Sequence, residues 1–412
     1  MGGVWFVLED CIGKAFQPRG SIGLQGLRAQ AELYSQTMSQ LATPTPRPLR
    51  TPTHPDPAVD EIAFPRGRRD QLKDLAGVWL ARTGLAAAWV RLGRVAGATI
   101  LTYHSVAESQ HQHWIDPRSR IAPGLFEEHL RFLVKRRSVV ALDEIVSALE
   151  EGRTLPAGTV AVTLDDGYRD LLSVVAPLAR KYKVPMTAFV VTGWCDREEA
   201  PWLDRLHGIL RHRTRDVLWW EDDSASDLRD ATGLAQARVR LEGELIGARG
   251  PKRDQILQRV TQMLVPSGEA PRVVATWDEL RILRDEWPEL TLEVHTAEHP
   301  DCRTLSGAEL SAELGAARER FSEQLGRSPT MLAFPYNRTN EDCADTAKAA
   351  GLRACFASGG DPLVVAGQRP QAIPRLDAPQ TVALAAWLTS GAHPGLVRAL
   401  GAPARALLGR RS

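Results

Sequence analysis

The chain has 412 residues, and its 51 Lys and Arg residues nearly balance its 50 Asp and Glu residues. This balance argues against nucleic acid as a general partner, and the length fits one barrel domain with appendages or two ordinary domains. The five cysteines form no C-x2-C pair, so neither a structural zinc knuckle nor a disulfide scaffold is indicated.

The first part of the chain differs in composition from the rest. Residues 1–68 show little apolar periodicity and carry a run of prolines between Pro44 and Pro57, which predicts a disordered, proline-rich extension. No basic start followed by a continuous apolar stretch and a small-residue cleavage site is visible, so we expect no secretory signal. The location expected from this is cytoplasmic or peripheral to a membrane, although a start placed too far upstream would give the same pattern.

Residues 69–97 predict an amphipathic helix, because apolar side chains such as Trp79 recur there at helical spacing. Arg82 and Arg91 interrupt the apolar stripe too early for a membrane span. Two interpretations stay open: the helix packs against the following domain, or residues 69–95 lie on a membrane surface.

From residue 98 to about 380 the pattern alternates between strands and helices, which is typical of a parallel α/β domain. Predicted strands cover residues 99–103, 160–164, 186–191, 290–294, 331–334 and 352–356, and predicted helices cover 169–183, 306–325 and 340–350.

Two segments stand outside this alternation. Residues 202–276 carry an aromatic pair, an acidic run and charged helical stretches, which predict a helical insertion over one end of the domain. Residues 381–412 are rich in alanine and end in basic residues, which predicts a helical basic tail. Tryptophans such as Trp194, Trp202 and Trp219 are suited either to stack on sugar rings or to fill the core of the insertion.

Two adjacent carboxylates, Asp165 and Asp166, follow the apolar run that ends at Leu164. Neighbouring side chains on a strand point to opposite faces, so both can share one pocket only where the strand breaks into a turn, and Gly167 favours such a turn. One carboxylate can then bind a cation while the other stays free as a base. An Asp-Asp-Gly sequence is by itself also an ordinary turn.

A pair of histidines follows another apolar strand. His295 comes directly after residues 290–294, and His299 returns to the same side if the chain turns helically. Two imidazoles and one carboxylate suit zinc or another borderline divalent ion and leave positions for water and substrate. The carboxyl ends of parallel strands are also where active residues gather in such folds.

These motifs together resemble the polysaccharide deacetylases with a NodB-homology domain, carbohydrate esterase family 4. The resemblance implies a distorted (β/α)7 barrel of the polysaccharide deacetylase type with a helical insertion. The matching segments are residues 101–106, 163–168, 295–300, 333–337 and 373–376.

Carried over to this chain, the resemblance implies that Asp166, His295 and His299 bind a divalent metal and that Asp165 is the general base. It also implies that the backbone N–H of Tyr336 helps to stabilise the oxyanion, although the Tyr336 side chain is equally suited to plain packing.

The chain departs from the family pattern at two positions. Where many members have an arginine that pairs with the catalytic aspartate, this chain has Ala333, and Arg375 is the candidate that replaces it; a surface salt bridge is the alternative role for Arg375. No late Leu-x-His motif is present, so we expect His104 to be the acid that protonates the leaving group, with a structural role as the alternative.

The predicted function is a metal-dependent hydrolase, most simply with zinc, that removes N-acetyl groups from amino sugars of a bacterial surface polysaccharide or its precursor. Its partner is an N-acetylated glycan and not nucleic acid. The alternatives are an amidase acting on a small non-sugar amide and a catalytically impaired glycan-binding protein.

Overall fold

The computed structural model describes residue 59 and residues 96–108, 110–357 and 362–391. Most of the predicted extension (1–68), nearly all of the predicted amphipathic helix (69–97) and the end of the predicted tail (381–412) lie outside these residues. Val59, which falls within the predicted extension, is buried, and its carbonyl oxygen accepts a hydrogen bond from Arg238 Nη1 at 3.4 Å.

One sheet of short, buried strands forms the centre of the molecule. Its strands, in chain order, are β1 (Ala98–Tyr103), β4 (Ser138–Val139), β5 (Thr159–Leu164), β6 (Met186–Val190), β9 (Leu290–Val294), β10 (Met331–Ala333), β11 (Ala354–Ala357), β12 (Ile373–Pro374) and β13 (Leu376–Asp377). All pairings within this sheet are parallel. A separate small pair joins β2 (Ser105–Val106) to β3 (Arg120–Ile121).

The sheet curls into a nearly closed barrel. Its strand order is β12, β11, β10, β9, β6, β5, β1, β13, with β4 beside β5. The two edge strands, β12 and β13, are consecutive in the chain and only Arg375 separates them, so the last strand pairs with β11 through its first half and with β1 through its second. Counting this split strand once gives seven positions, which confirms the predicted distorted (β/α)7 barrel.

The strands are buried on both faces because helices cover the outside of the barrel. All six residues of β1 and all six of β5 are buried. Strands covered on both sides read as continuous apolar runs, and each fully buried Val, Leu or Ile contributes about 1.5–3 kcal/mol. The covering helices are α1 (Pro123–Arg136), α2 (Leu142–Glu150), α3 (Ala176–Tyr182), α7 (Trp277–Glu286), α8 (Gly307–Leu325) and α9 (Glu341–Ala349).

The helices begin and end at residues suited to those positions. Ser306 and Glu309 form a capping box at the start of α8, and Gly326 ends that helix in the left-handed conformation. The predicted helix at 169–183 begins instead with a π-helical turn, Leu171–Val175, before α3. The six predicted strands and the three predicted helices are all present, with ends that differ by a few residues.

Between β6 and β9 the chain leaves the strand and helix alternation. Residues 202–276 hold three helices, α4 (Trp202–Arg211), α5 (Ala231–Gly247) and α6 (Pro251–Leu264), together with an antiparallel hairpin of β7 (Val217–Trp219) and β8 (Ala225–Asp227). The hairpin was not predicted from the sequence. After the barrel, α10 (Val382–Leu388) packs against α1. None of the helices in the described part of the chain has both the length and the apolar character that a membrane span requires.

Candidate active site

Strand register brings the predicted site residues to one end of the barrel. Tyr103, the last residue of β1, pairs with Leu164, the last residue of β5, so His104 and Asp165 leave adjacent strands side by side. Val294, the last residue of β9, pairs with Val190 of β6 and with Leu332 of β10. All these strands are parallel, so their carboxyl ends open on the same rim.

Asp165 is held by a buried arginine. Arg375 Nη1 donates to Asp165 Oδ1 at 2.8 Å, and Arg375 Nη2 donates to Asp165 Oδ2 at 2.7 Å. Both residues are 2% exposed, and Arg375 Nη2 also donates to Asn337 Oδ1 at 3.0 Å. Burial alone would raise the pKa of Asp165, but Arg375 outweighs it and lowers that pKa below the ordinary value. The pair keeps Asp165 ionised and fixed in orientation.

Arg375 occupies this position because it lies at the seam of the barrel. It is the residue between β12 and β13, so its side chain reaches inward where the split strand changes partner. The structure therefore places Arg375 beside Asp165 and not in a surface salt bridge. This is the position expected of a cation that replaces the arginine of many family members, for which this chain has Ala333.

Asp166, His295 and His299 converge beside that pair. Asp166 Oδ1 lies 3.4 Å from His295 Nε2 and 3.5 Å from His299 Nε2, and one ligand atom from each of the three lies within 4.8 Å of the others. Asp166 turns away from Asp165 because its backbone is left-handed, with φ of 73°, and Gly167 follows with φ of 78°. Aspartate is one of the few residues with a side chain that adopts this conformation readily.

In this cluster, two unprotonated acceptor atoms, His295 Nε2 and Asp166 Oδ1, lie close together. His295 Nδ1 lies 2.8 Å from the carbonyl oxygen of Ala333, which only accepts, so Nδ1 carries the proton and Nε2 of the neutral ring is an acceptor. Asp166 Oδ1 is buried and has no hydrogen-bond partner among the described residues. Acceptors facing one another with no proton between them are unfavourable unless a cation lies among them.

The electrostatics of the cluster also fit a cation. Burial raises the pKa of Asp166 above its ordinary value, and burial together with His295 and Arg253 lowers the pKa of His299 well below its ordinary value. A neutral imidazole is the form that ligates metals. Ligand atoms around a tetrahedral zinc at about 2.0–2.2 Å lie about 3.3–3.5 Å from one another, which matches the two measured separations from Asp166 Oδ1.

The loop that carries His299 is fixed from α8. Glu313 Oε1 accepts the backbone N–H groups of Ala297 at 2.8 Å and of Glu298 at 2.6 Å. Thr296 Oγ1 accepts the backbone N–H of His299 at 3.1 Å. These contacts hold a loop in which Thr296 and His299 both have positive φ, of 68° and 53°.

Strained backbone gathers at this end of the barrel. Eight non-glycine residues in the described ranges have positive φ, and five of them belong to the loops that build the site. These five are Asp166, Thr296, His299, Tyr336 and Asn337. Such conformations cost about 1–3 kcal/mol each and persist where the surrounding structure enforces them, most often at functional sites.

Aromatic rings enclose His299. Trp194 lies 4.9 Å from the His299 ring and Tyr336 lies 4.6 Å from it, measured between ring centroids. The Tyr336 hydroxyl donates to the carbonyl oxygen of His299 at 3.2 Å, and burial raises the pKa of Tyr336 to about 12. The Tyr336 side chain therefore buttresses the loop, and its backbone, with φ of 57°, turns at the edge of the cavity.

His104 lines the same cavity as Asp165 and the three converging residues. The segment after it is fixed by Asp170, whose carboxylate accepts from Ser105 Oγ at 2.5 Å and from the backbone N–H of Val106 at 3.0 Å. Asp170 is buried, and burial raises its pKa to about 6.

The cavity thus contains six of the seven predicted site residues, and the seventh, Arg375, contacts Asp165 directly behind it. Trp194 and Trp202 line the cavity, whereas Trp219 is 56% exposed and is not part of its lining. Cys302 is buried, with its Sγ 3.8 Å from the carbonyl oxygen of Pro300.

Two supporting residues were missed from the sequence. Glu313 is an ordinary mid-helix glutamate in its local pattern, and nothing near it signals that it caps a loop 15 residues earlier. Asp170 lies four residues after Asp166, which is a weak signal, because its partners Ser105 and Val106 lie 65 and 64 residues away.

Comparison with known proteins agrees with this geometry. The polysaccharide deacetylase family model matches residues 152–232 and 256–355, which contain Asp165, Asp166, His295, His299 and Tyr336. His104 and Arg375 lie outside the matched residues. No curated protein matches the chain.

Several solved structures are similar to this chain. The deacetylase PplD of Streptococcus pyogenes, in complex with acetate, has 16% identity over 69% of this chain and 94% of its own, with a TM-score of 0.45. A de-N-acetylase from Aggregatibacter actinomycetemcomitans has 19% identity over 68% of this chain and 94% of its own, with a TM-score of 0.43. IcaB from Ammonifex degensii has 17% identity over 71% of this chain and 97% of its own, with a TM-score of 0.47.

The family match covers both strand-end motifs, and the residues of those motifs meet at one rim of a parallel barrel. Over the matched residues the chain resembles the polysaccharide deacetylases, which supports a hydrolase acting on carbon–nitrogen bonds other than peptide bonds.

Proposed function

We propose that this chain removes N-acetyl groups from the amino sugars of a bacterial surface polysaccharide or its precursor, with zinc held by Asp166, His295 and His299. The main observation that supports the proposal is that two adjacent aspartates make separate contacts. Asp166 faces the two imidazoles, while Asp165 is paired separately with Arg375. A binding cluster with a free base beside it is what hydrolysis of an amide requires.

A divalent cation bound by these three residues would polarise the acetyl carbonyl and lower the pKa of a water molecule. Asp165, kept ionised by Arg375, accepts a proton from the attacking water as its oxygen adds to the carbonyl carbon. The backbone N–H of Tyr336 donates to the developing oxyanion. His104 then donates a proton to the sugar nitrogen, and the carbon–nitrogen bond breaks to release acetate and a free amine.

The shape of the site favours a glycan chain over a small amide. Three residues that line the active-site cavity, Trp194, Pro201 and Trp202, also line an adjoining cavity, which is bounded on another side by the start of α6. That second cavity shares Glu199 and Arg205 with a third, which reaches Trp114. A series of adjoining cavities suits successive sugar rings better than a single small amide.

The test is acetate release from defined N-acetylated oligosaccharides, with metal removed by a chelator and then restored with zinc. The proposal expects activity that is lost with the chelator and regained with zinc. Asp165→Asn should retain bound metal and lose most turnover, whereas Asp166→Asn should lose both. Tight glycan binding without acetate release by the wild-type chain would favour the glycan-binding alternative, and hydrolysis of small amides alone would favour the amidase.

A further inference from the structure

One arginine beside the active-site cavity is buried without a direct ion pair. Arg253 lies in the first turn of α6 and is 8% exposed. Its Nε donates to the carbonyl oxygen of Leu245 at 3.0 Å, and its Nη1 approaches the carbonyl oxygen of Glu298 at 3.5 Å. Its guanidinium carbon lies 5.6 Å from the centre of the Trp202 ring.

No carboxylate in the described ranges lies within ion-pair distance of Arg253. The two other arginines that line the same cavity differ, because Arg205 pairs with Asp254 at 2.9 Å and Arg197 pairs with Glu298 at 2.6 Å. Burial lowers the pKa of Arg253 below its ordinary value, and the more distant carboxylates of Glu298 and Asp254 offset this only in part. Burying a charge without a partner is costly, so a buried, unpaired guanidinium is a candidate site for an anion.

The position of Arg253 limits what such an anion can be. The cavity it lines adjoins the active-site cavity through Trp194, Pro201 and Trp202, so an occupant would lie one step along a chain whose acetylated sugar occupies the active site. The start of α6, at Gly250 and Pro251, lines the same cavity and has no side-chain cap. The N–H groups of Lys252 and Arg253 are bonded to the carbonyl oxygens of Arg249 and Gly250, so this helix start contributes only its dipole, and the Arg253 guanidinium has to supply the hydrogen bonds to an occupant.

We propose that this cavity, the Arg253 subsite, binds an oxyanion group carried by the sugar next to the one that is deacetylated. This inference rests on the proposed function and narrows its substrate class to acidic glycans. Guanidinium binds carboxylate and phosphate oxygens in a bidentate geometry. The oxyanion is either the carboxylate of an acidic sugar or a phosphate ester.

The test compares three oligosaccharides that share one N-acetylated sugar and differ in its neighbour, which is neutral, carries a carboxylate or carries a phosphate. The measured quantity is the ratio of kcat/KM for each acidic substrate to kcat/KM for the neutral one. For the wild-type chain we expect a ratio above one for at least one acidic substrate. Arg253→Met should lower that ratio about tenfold or more, mainly through KM, because hydrogen bonds to charged groups are lost.

Arg240→Met is the matched control. It removes the same charge from the insertion, but Arg240 lies over Trp220 and does not line the cavity. Its ratio should stay at the wild-type value. Arg253→Lys, which keeps the charge and loses the planar fork, should give an intermediate ratio, and it serves as the test variant if Arg253→Met does not fold.

Inorganic phosphate provides a second readout. It should inhibit the wild-type chain competitively against the acidic substrate, should lose this effect in Arg253→Met and should retain part of it in Arg253→Lys. A response to the carboxylate substrate alone identifies an acidic sugar, and a response to the phosphate substrate alone identifies a phosphate ester. A wild-type ratio of one for both, or a ratio that the Arg253 variants leave unchanged, overturns the subsite. Hydrolysis of no substrate by the wild type overturns the proposed function instead.

Discussion

Replacing Arg375 with methionine tests the electrostatic arrangement around Asp165 most sharply. The substitution keeps much of the side-chain volume and removes both hydrogen bonds to the carboxylate, of 2.8 and 2.7 Å. It leaves Asp165, which is 2% exposed, as a buried charge without its partner. Removing one member of a buried ion pair costs about 3–5 kcal/mol, so Arg375→Met should lower the free energy of unfolding by about that amount.

The double variant Asp165→Asn with Arg375→Met separates the charge from the packing. Because it removes both charges of the pair, it should regain much of the stability that Arg375→Met loses. Urea unfolding of the wild type, both single variants and the double variant gives the coupling free energy directly. A coupling free energy near zero would refute the pairing as an energetic unit.

Activity should follow the same cycle. A positioned general base contributes about 10²–10⁴-fold, so Arg375→Met should lower kcat/KM by about 10²-fold or more through the loss of an ionised, oriented base. Asp165→Asn should lower it further, and the double variant should be no worse than Asp165→Asn, because the two residues act through one base. Multiplicative losses in acetate release would mean that Arg375 acts independently of Asp165.

The remaining predictions concern the supports of the site. Burial raises the pKa of Asp170 to about 6, above the value of about 3.9 in an unfolded chain, so the native state binds this proton more tightly. Its contribution to the free energy of unfolding is therefore full below about pH 4 and is lost as the pH rises through about 6. Asp170→Asn should remove this decrease in stability, measured by urea unfolding at each pH. The same pH dependence in the variant and the wild type would contradict the prediction. A Cβ at Gly193 would lie 2.6 Å from the carbonyl oxygen of Ala297, so Gly193→Ala should displace the loop that carries His299. The affinity for zinc, measured by calorimetric titration, should fall. An unchanged affinity would count against this reasoning. If His104 is the acid, His104→Ala should slow amide cleavage far more than cleavage of an activated acetyl ester, and equal slowing would indicate a structural histidine.

The sequence predicted the barrel well because buried parallel strands read as continuous apolar runs that end abruptly at polar residues. Asp165 and His295 each follow such a run, so their approach to one rim follows from strand direction alone. The split strand at Ile373–Pro374 and Leu376–Asp377 was harder to predict, because two-residue strands show no periodicity.

Local geometry and distant supports lay beyond the sequence pattern. The turn after Asp165 was expected from Gly167, but Asp166 itself is also left-handed, which is the feature that separates the two carboxylates. Glu313 and Asp170 stabilise loops through contacts that cross many residues, and single-sequence patterns carry no information about such pairings. Arg375 was recognisable only as a cation that follows a strand-like segment.

The central claim is that Asp166, His295 and His299 bind one divalent ion. Titration of the metal-free chain with zinc, followed calorimetrically, measures this directly, with Asp166→Asn and His295→Ala as variants and Asp165→Asn as the matched control. We predict one zinc per wild-type chain, a similar stoichiometry for Asp165→Asn, and affinity lowered by orders of magnitude for the two ligand variants. Zinc that binds equally well to all four proteins, or to none of them, would contradict the claim.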